Sequence, residues 1–250
     1  MVLLLGMLER IGYKRADLIV GTMPNLKEHV REVIGYNKEV FHSPLGIHEI
    51  WSNDVNPSDF VDALFPETGK FVVGYAGSMG ISNALDVFIG AIKKLSDIHD
   101  VYFVLVGDGD LKPFYMEKLS GLRNVTIGPK IRQNEIPYFL SKCDLLYLST
   151  YDSRVWNYGQ SLNKLIDYMM AGKPVVASYS GYQSMLNEAN AGLFVPAGDP
   201  DAIIEAIYFF KNMDPYERNL YGVRGKSWVE KNHDYKTLAL RYYNKIMEMF

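Results

Sequence analysis

The stretch YGQSLNKLIDYMMAGKPVVA, from Tyr158 to Ala177, decides the fold because it carries the signals of a loop, a helix and a buried strand in succession. An apolar stripe at helical spacing follows Ser161, which we predict to be the N-cap of a helix over Ser161–Ala171. Gly172 predicts the end of that helix, and the run from Pro174 to Ala177 has the composition of a short buried strand. The stretch therefore predicts a loop–helix–turn–strand unit.

The start of the predicted helix is a candidate site for an anion. The first N–H groups of a helix lack partners within it and carry partial positive charge, so a phosphate can bind there. Lys164 adds a full charge, and Asn163 and Asp167 lie one helical turn apart beside the apolar stripe, where both could face a ligand. The carboxylate of Asp167 could accept hydrogen bonds from sugar or ribose hydroxyls. The alternative is an ordinary amphipathic helix with a solvated Asp and Lys.

From Lys70 onward, short apolar runs alternate with helical segments. We predict strands at Phe71–Tyr75, Val101–Val106, Val125–Ile127, Leu145–Leu148, Pro174–Ala177 and Leu193–Val195. We predict helices at Ala84–Ser96, Leu111–Leu119, Gln133–Ser141, Ser161–Ala171, Tyr182–Ala189 and Asp201–Lys211, and two more over the tail Pro215–Phe250. This alternation is typical of an α/β fold in which a parallel sheet has helices on both faces.

The segment before Lys70 is organised differently. Val2–Arg15 predicts a helix, Ala16–Gly21 a short strand and Asn25–Ile34 a second helix, followed by an irregular linker over Gly35–Asp54. A single strand with two helices cannot form a sheet that covers its own faces. We therefore predict that this opening unit docks on the rest of the chain.

Composition excludes several classes of function. The net charge of −3, without a basic stripe, argues against nucleic acid as the main partner. Cys143 is the single cysteine, so no disulfide framework or cysteine zinc site can form, which fits a reducing compartment. The five histidines show no metal-ligand spacing, and no catalytic motif of a hydrolase or a P-loop is present. The apolar VLLLGML at the start is too short to span a bilayer, and we interpret it as a core helix.

Three predicted loops follow strands, and ligands of parallel α/β sheets bind at the carboxyl ends of strands where the strand order reverses. The glycines of Gly77–Gly80 would let the backbone approach a phosphate, although a plain tight turn fits at least as well. In Gly107–Asp110, we interpret Asp108 or Asp110 as the cap of the next helix. Lys130 and Arg132, which flank Ile131, could balance phosphate charge.

Taken in order, these segments resemble the retaining glycosyltransferases of family 4, which have the two-domain GT-B fold. YAGSMGISNALDVFIGAIKKL resembles the family's first strand, Gly-rich loop and helix, and VYFVLVGDGDLKPFYMEKL its second strand and helix. NKLIDYMMAGKPVVAS is the most specific piece, close to the branch whose site helix reads N-K-L-[FI]-[ED]-Y-x-x-A-G-K-P-V. The resemblance implies a Rossmann-like parallel sheet with helices on both faces, the C-terminal half of a GT-B enzyme.

The resemblance also implies a set of residues that bind the nucleotide sugar, with the ribose on Asp167. The set is Gly77, Ser78, Met79, Gly80, Lys130, Ile131, Arg132, Ser161, Leu162, Asn163, Lys164 and Asp167. Two features depart from the family. Its signature places two acids eight residues apart, and Gly159 stands at the first position; its usual cations near Ser78 and Ala84 are absent. Phosphate binding is then expected from backbone N–H groups near Gly77 and the helix start, helped by Lys164, Lys130 or Arg132.

The same resemblance divides the chain into three parts. Residues 1–45 would be a remnant of the acceptor domain with its linker, 46–233 the donor domain, and 234–250 a helix that packs back on the remnant. This packing is expected to hide Leu4, Leu5, Leu8, Ile19 and Val20. Because only the nucleotide-sugar half is whole, we interpret the chain as a fragment that does not transfer sugar by itself.

We therefore expect the donor-binding part of a hexosyltransferase-type enzyme of polysaccharide biosynthesis. It would move a sugar from a nucleoside diphosphate sugar of UDP or GDP type to a glycan or lipid-linked acceptor, with retained configuration, and would need no cofactor or metal. The full-length protein is expected in the cytoplasm, with peripheral association at the inner face of the membrane left open. The alternatives are a nucleotide-sugar-binding module without turnover and a GT-B epimerase, which would need an acid/base pair facing the sugar. The sequence identifies no catalytic residue.

Overall fold

A computed structural model of the chain describes residues 2–52, 55–67 and 69–249. The elements, in chain order, are α1 (Val2–Arg15), β1 (Ile19–Gly21), α2 (Leu26–Ile34), β2 (Val40–His42), α3 (Asp59–Asp62), β3 (Phe71–Ala76), α4 (Leu85–Lys94), β4 (Val101–Val106), α5 (Lys112–Lys118), β5 (Val125–Gly128), α6 (Ile136–Ser141), β6 (Leu145–Ser149), α7 (Asn163–Met170), β7 (Val175–Ser178), β8 (Gly192–Val195), α8 (Pro200–Asn212), α9 (Pro215–Asn232) and α10 (Tyr235–Met247). The first residue of the predicted remnant, Met1, the end of the predicted linker, Asn53 and Asp54, and the end of the predicted tail, Phe250, lie outside the described residues.

A six-stranded sheet in the order β5-β4-β3-β6-β7-β8 forms the centre of the molecule, and every neighbouring pair is parallel. The predicted α/β class and its six predicted strands are confirmed. The chain builds outward from β3 through β4 to β5, then returns to place β6 on the other side of β3. The strand order therefore reverses between β3 and β6, where parallel α/β sheets open a crevice for ligands.

The strands are continuous apolar runs because both of their faces are covered by helices. In β4, Val104 and Val106 face a core shared with α6, α7 and α9, whereas Phe103 and Leu105 face a second core shared with α4, α5 and α8. Cys143 is buried, and burial raises the pKa of its thiol. A Cβ on Gly74 would lie 2.2 Å from its sulfur, so this strand position must lack a side chain.

Two details of the predicted helices are wrong. Ser161 is not the N-cap, because α7 begins at Asn163 with Leu162 as its cap residue, and no side chain caps that end. The predicted helix Tyr182–Ala189 is a series of turns. Met185 has a φ of 54°, and this left-handed conformation interrupts the regular hydrogen-bond ladder of a helix.

The opening unit contains a strand that the sequence analysis missed. β2 pairs in parallel with β1, from Ile19 opposite Val40 to Gly21 opposite His42, in a separate two-stranded sheet. Three residues between polar neighbours give too short a pattern to separate a strand from a linker.

The expected burial of the opening helix is also wrong. Leu4, Leu5, Leu8 and Val20 are 61%, 59%, 57% and 39% exposed, although Ile19 is buried. The small core of this unit gathers at the far end of α1, around Tyr13 and Ala16, so the first two turns of the helix lie beyond it.

The C-terminal helix contacts the opening unit through aromatic rings and charge. The ring of Tyr242 stacks on that of Phe41 with centroids 5.8 Å apart, and Lys245 forms an ion pair with Glu39. The predicted division into domains stays a prediction. Among the described residues, none of the helices combines the length and apolar character that crossing a bilayer needs.

Helix α9 approaches the turn after α7 so closely that it needs glycine there. A Cβ on Gly222 would lie 1.8 Å from the carbonyl oxygen of Gly172. We expect Gly222→Ala to lower the free energy of unfolding by about 1–3 kcal/mol, because the backbones must separate. Gly12→Ala in α1 is the matched control: nothing lies within 4 Å of its Cβ, so alanine should stabilise that helix by about 0.5–1 kcal/mol. Urea unfolding of both variants measures the difference, and equal shifts would contradict the close approach.

Candidate functional site

A cleft of about 1000 Å³ opens at the reversal of strand order, and we call it the switch-point cleft. The cleft brings together seven of the twelve predicted site residues: Gly77, Ser78, Lys130, Ile131, Arg132, Lys164 and Asp167. Three different segments contribute them, namely the loop after β3, the loop after β5 and one face of α7. The convergence follows from the parallel sheet, whose strands all end on the same edge.

The other five predicted residues lie elsewhere. Met79 is fully buried in the core, and Gly80 and the exposed Asn163 are not among the residues that line the cleft. Ser161 and Leu162 line a different cavity, beyond the opposite face of α7. The helix start and the Gly-rich loop therefore do not form one continuous phosphate cradle.

The loops after β3 and β4 are locked together by their backbones. The N–H of Gly77 donates to the carbonyl of Val106 at 3.0 Å, and the N–H of Met79 donates to that of Asp108 at 2.8 Å. A Cβ on Gly107 would lie 1.8 Å from the carbonyl oxygen of Gly77. Because the N–H groups of Gly77 and Met79 already have acceptors, the expected phosphate binding by the Gly77 backbone has little support in the geometry.

The predicted cap residue in the neighbouring loop is wrong as well. Helix α5 begins at Lys112 after Leu111, and no side chain caps it. Asp108 instead accepts the N–H of Gly109 through Oδ1 at 2.9 Å. The acid thus stabilises its own turn, next to the cleft that it helps to line.

Lys164 is the cation that the fold places deepest in the cleft. Its Nζ donates to the hydroxyl of Tyr75 at 3.0 Å and to Oδ1 of Asn83 at 2.8 Å, and it lies 4.4 Å from the centre of the Tyr75 ring. A Cβ on Gly77 would lie 2.7 Å from this Nζ, so glycine makes room for the ammonium group. Burial lowers the pKa of Lys164 to about 8, with no compensating carboxylate among the described residues. A buried cation without an acid partner is suited to an anionic ligand.

Asp167 lies one helical turn after Lys164 and is held by a residue from the linker. Its Oδ1 accepts the indole N–H of Trp51 at 2.8 Å. Burial raises the pKa of the Asp167 carboxyl, and the Trp51 hydrogen bond opposes that rise. Trp51 lies in the predicted linker, and the type of a side chain at one position gives no signal of a partner so distant in the chain. The role of Tyr75 was missed for the same reason.

The two cations after β5, Arg132 and Lys130, differ in how far their charge is available to a ligand. Arg132 is paired with Glu135, with Nη2 to Oε1 at 3.1 Å and Nε to Oε2 at 3.2 Å. This guanidinium, together with the hydroxyl of Ser58, lowers the pKa of Glu135 to about 2. The charge of Arg132 is therefore largely matched inside the protein. Lys130 is exposed at the rim of the cleft, and Ile131 between them is buried.

Gly159, at the position of the missing first acid, has a backbone that excludes a side chain. Its φ of 92° and ψ of −178° belong to a region that essentially only glycine adopts. A Cβ there would lie 2.3 Å from Cγ of Pro24 in the opening unit. The N–H of Asn25 donates to the carbonyl of Tyr158 at 3.0 Å and fixes this contact. Pro24 therefore fills the space in which a side chain of residue 159 would begin.

Placing a side chain at Gly159 should destabilise the fold rather than restore an acid. We expect Gly159→Ala to lower the free energy of unfolding by about 1–3 kcal/mol from backbone strain, with a further cost from the collision with Pro24. Gly35→Ala is the control, because Gly35 has a φ of 84° but nothing within 4 Å of its Cβ. Chemical denaturation of the single variants and of Pro24→Ala/Gly159→Ala measures the collision as the coupling between the two sites. A coupling of zero would contradict it.

Among the described residues, no group of three or more His, Cys, Asp or Glu side chains is arranged to hold a metal ion. Search of curated protein sequences gives no match. A family model described as glycosyl transferases group 1 matches residues 70–210, which is more than half of the chain and includes β3 to β8, α7 and all of the residues that line the switch-point cleft except Ile50.

Solved structures share the fold. A sucrose-phosphate synthase from Thermosynechococcus elongatus superposes with a TM-score of 0.74 at 21% identity, over 98% of this chain and 61% of that one. Anabaena HepE in complex with UDP and glucose gives 0.70 at 16% identity, over 97% and 66%. The pneumococcal O-GlcNAc transferase GtfA in complex with UDP and GlcNAc gives 0.68 at 11% identity, over 97% and 47%.

The chain thus spans between 47% and 66% of the length of these three proteins. At these identities the likeness concerns the fold, which is that of GT-B glycosyltransferases. The match of the family model over β3 to β8 adds the sequence relationship. The chain belongs to the glycosyl transferases group 1 family.

Proposed function

We propose that this chain is the donor-binding part of a glycosyltransferase, and that a nucleoside diphosphate sugar of UDP or GDP type binds in the switch-point cleft. The observation that carries the proposal is Lys164, a part-buried ammonium group beside Gly77 that has no acid partner among the described residues. A diphosphate supplies the negatively charged partner that this ammonium group lacks. HepE and GtfA, which share the fold, were solved in complex with UDP, and this supports a uridine nucleotide as the first candidate.

The proposed role of these residues in sugar transfer follows from where negative charge develops during the reaction. When the bond between the anomeric carbon and the diphosphate oxygen breaks, the leaving diphosphate gathers negative charge. A preorganised cation in a partly desolvated cleft stabilises that charge without reorganisation, which is the largest single contribution in many enzymes. We assign this role to Lys164, with Lys130 at the rim, and we assign the ribose hydroxyls to Asp167. Trp51 positions Asp167 by holding one carboxylate oxygen.

The remaining parts of the proposal rest on the family resemblance. They are transfer of a hexosyl unit with retained configuration to a glycan or lipid-linked acceptor, in the cytoplasm or at the inner face of the membrane, for polysaccharide biosynthesis. The acceptor would bind to a part that this chain does not contain. Since positioning of two substrates supplies much of a transferase's rate, the chain alone should not transfer sugar.

A second candidate is a binding module without turnover. Gly159 favours it, because the backbone and Pro24 leave no room for the first acid of the family signature. Slow hydrolysis of a bound UDP-sugar by the chain would support the transferase, since water needs no acceptor domain. Tight binding of the intact UDP-sugar without any hydrolysis would favour the module.

Calorimetric titration with UDP, GDP, ADP and dTDP tests the donor site directly. We expect UDP or GDP to bind with a dissociation constant between micromolar and millimolar, about −8 to −4 kcal/mol. Failure of all four nucleotides to bind at millimolar concentration would overturn the proposal.

Lys164→Met should weaken nucleotide binding about 10- to 100-fold, because a charge-assisted hydrogen bond to phosphate is lost. The affinity of the unchanged protein should also fall as the pH rises through about 8, where Lys164 loses its proton, and the variant should lack this dependence. Lys231→Met, on the exposed side of α9, is the control. Titration with UDP one unit below and above that pKa measures both effects.

A rise in pH should act on the stability of the fold in the opposite direction from its effect on nucleotide affinity. Folding lowers the pKa of Lys164, so its protonated form costs stability below about pH 8, and that cost disappears towards 10.5. Lys164→Met should therefore not lower the melting temperature at neutral pH. A collapse of the melting temperature would assign Lys164 a structural role instead.

Asp167→Asn should weaken nucleotide binding by about 1–3 kcal/mol and leave the fold intact, because the amide oxygen can still accept the Trp51 N–H. Asp86→Asn, another helical acid that accepts a hydrogen bond from an aromatic side chain, Tyr151, is the control. Calorimetry gives the affinity and thermal unfolding the stability. Loss of stability with unchanged affinity would remove Asp167 from the donor site.

A further inference from the structure

A second cavity, of about 300 Å³, lies where the opening unit meets the C-terminal helices, and we call it the junction cavity. Its walls come from the ends of β1 and β2, residues 160–162, the turns at 182–188, the end of α9 and part of α10. Leu162 and Ile166 line it from α7, whereas Lys164 and Asp167 of the same helix line the switch-point cleft. The two spaces are therefore separate, on different faces of one helix.

Two buried polar side chains line the junction cavity without hydrogen-bond partners. Gln160 and Ser184 are each 2% exposed. Within the part of the chain that the structure describes, neither the oxygen nor the nitrogen of the Gln160 amide has a hydrogen-bond partner, and the Ser184 hydroxyl has none. A buried polar group left unsatisfied destabilises the fold, so such groups call for an occupant that supplies both donors and acceptors.

Two histidines add acceptors to the same wall. Nε2 of His42 lies 3.1 Å from the carbonyl of Thr22, and Nδ1 of His233 lies 2.6 Å from that of Leu45. Each of these nitrogens must carry the proton to donate to a carbonyl, so the other nitrogen of each neutral ring is an acceptor. Burial lowers the pKa of both imidazoles, which keeps them neutral at neutral pH.

The charged groups of the cavity balance each other. Glu188 and Arg241 both line it, and both are exposed at its mouth. The carboxylate of Glu188 acts on His42 and the guanidinium of Arg241 on His233, with opposite signs. The site therefore carries no net charge that would favour a phosphate or an ammonium ligand.

The apolar part of the lining combines aliphatic side chains with three aromatic ones, Phe41, Tyr182 and Trp228. Apolar and aromatic walls with a few placed polar groups are the usual composition of a small-molecule site. The volume is about ten times that of one water molecule in the liquid, so a single bridging water does not fill it.

We propose that the junction cavity binds a small neutral carbohydrate or polyol, a molecule whose hydroxyl groups donate to and accept from Gln160 and Ser184 while its C–H faces contact the aromatic walls. The polar groups come from five segments around the cavity, which suits hydroxyls distributed around a ring. A nucleobase, by contrast, carries its polar atoms along one edge. The proposal does not depend on the nucleotide assignment of the switch-point cleft.

Saturation-transfer NMR with D-glucose, D-galactose, N-acetyl-D-glucosamine and myo-inositol, each at millimolar concentration, tests the site, with uridine as a probe of another class. We expect at least one of the saccharides or inositol to bind and to raise the melting temperature. Gln160→Met keeps the length of the side chain and removes the amide, so it should weaken this binding at least tenfold. Ser184→Ala should also weaken it.

Two matched controls locate the ligand. Gln183→Met makes the same change at an exposed neighbour that does not line the cavity, and binding should persist. Lys164→Met alters the switch-point cleft and should also leave saccharide binding unchanged. Because the Gln160 amide is unsatisfied, Gln160→Met should melt at or above the temperature of the unchanged protein, so loss of binding would not reflect unfolding.

Four results would overturn the proposal. The first is that no saccharide or inositol binds, which would mean a cavity that holds water only. The second is binding that Gln160→Met leaves unchanged, and the third is binding that Lys164→Met abolishes, which would place the sugar in the switch-point cleft. The fourth is that uridine binds in preference to the sugars, with the same dependence on Gln160.

Discussion

The architecture of the site depends on one buried hydroxyl, that of Tyr168 on α7. It accepts the N–H of Ala76 at 2.8 Å and donates to the carbonyl of the same residue at 3.1 Å. Ala76 ends β3 and lies beyond the last residue of the strand that pairs with β6, so this pair of bonds satisfies its backbone groups in place of that pairing. Helix α7 is thereby fixed against the carboxyl end of β3, at the reversal of strand order.

This attachment explains how the ammonium group of Lys164 is held in a partly desolvated position. With α7 fixed, Lys164 reaches the hydroxyl of Tyr75, which in turn donates to the carbonyl of Ser78 at 2.5 Å. The loop after β3, the strand itself and the helix thus share one chain of hydrogen bonds. Such a chain holds a cation in low dielectric, where its interaction with a developing negative charge is stronger than in water.

The sequence was sufficient to predict the parallel sheet, because each strand is an apolar run covered on both faces and its signal is local. It was also sufficient to predict that Gly77, Lys164 and Asp167 come together, since strand order and the family motif fix which ends of the elements meet. It did not predict the helix start at Asn163 or the turns at 182–188. Both depend on backbone conformations, such as that of Met185, that side-chain patterns do not encode.

The sequence also did not predict the contacts between residues that are far apart in the chain. The bond from Trp51 to Asp167 and the approach of Pro24 to Gly159 join the opening unit and linker to the donor side. A glycine in a sequence shows only that a side chain is absent; the structure shows what occupies the space. For Gly159 this changes the interpretation of the missing acid, because the position has neither a side chain nor the room for one.

Three polar side chains in α7 and the loop before it each carry a free-energy cost in the folded protein. Lys164 is desolvated without an acid, Asp167 has a raised pKa, and the amide of Gln160 is buried without a partner. Each would be relieved by a simple apolar or solvent-facing substitution, and none contributes to the packing of the core stripe formed by Leu165, Ile166 and Met169. Sequences are otherwise locally consistent with their folds, and departures concentrate where a ligand supplies what the protein lacks. The two cavities beside α7 therefore differ in what they leave unmatched: the switch-point cleft leaves the ammonium group of Lys164 without an acid partner among the described residues, and the junction cavity leaves the neutral amide of Gln160 without a hydrogen-bond partner among them.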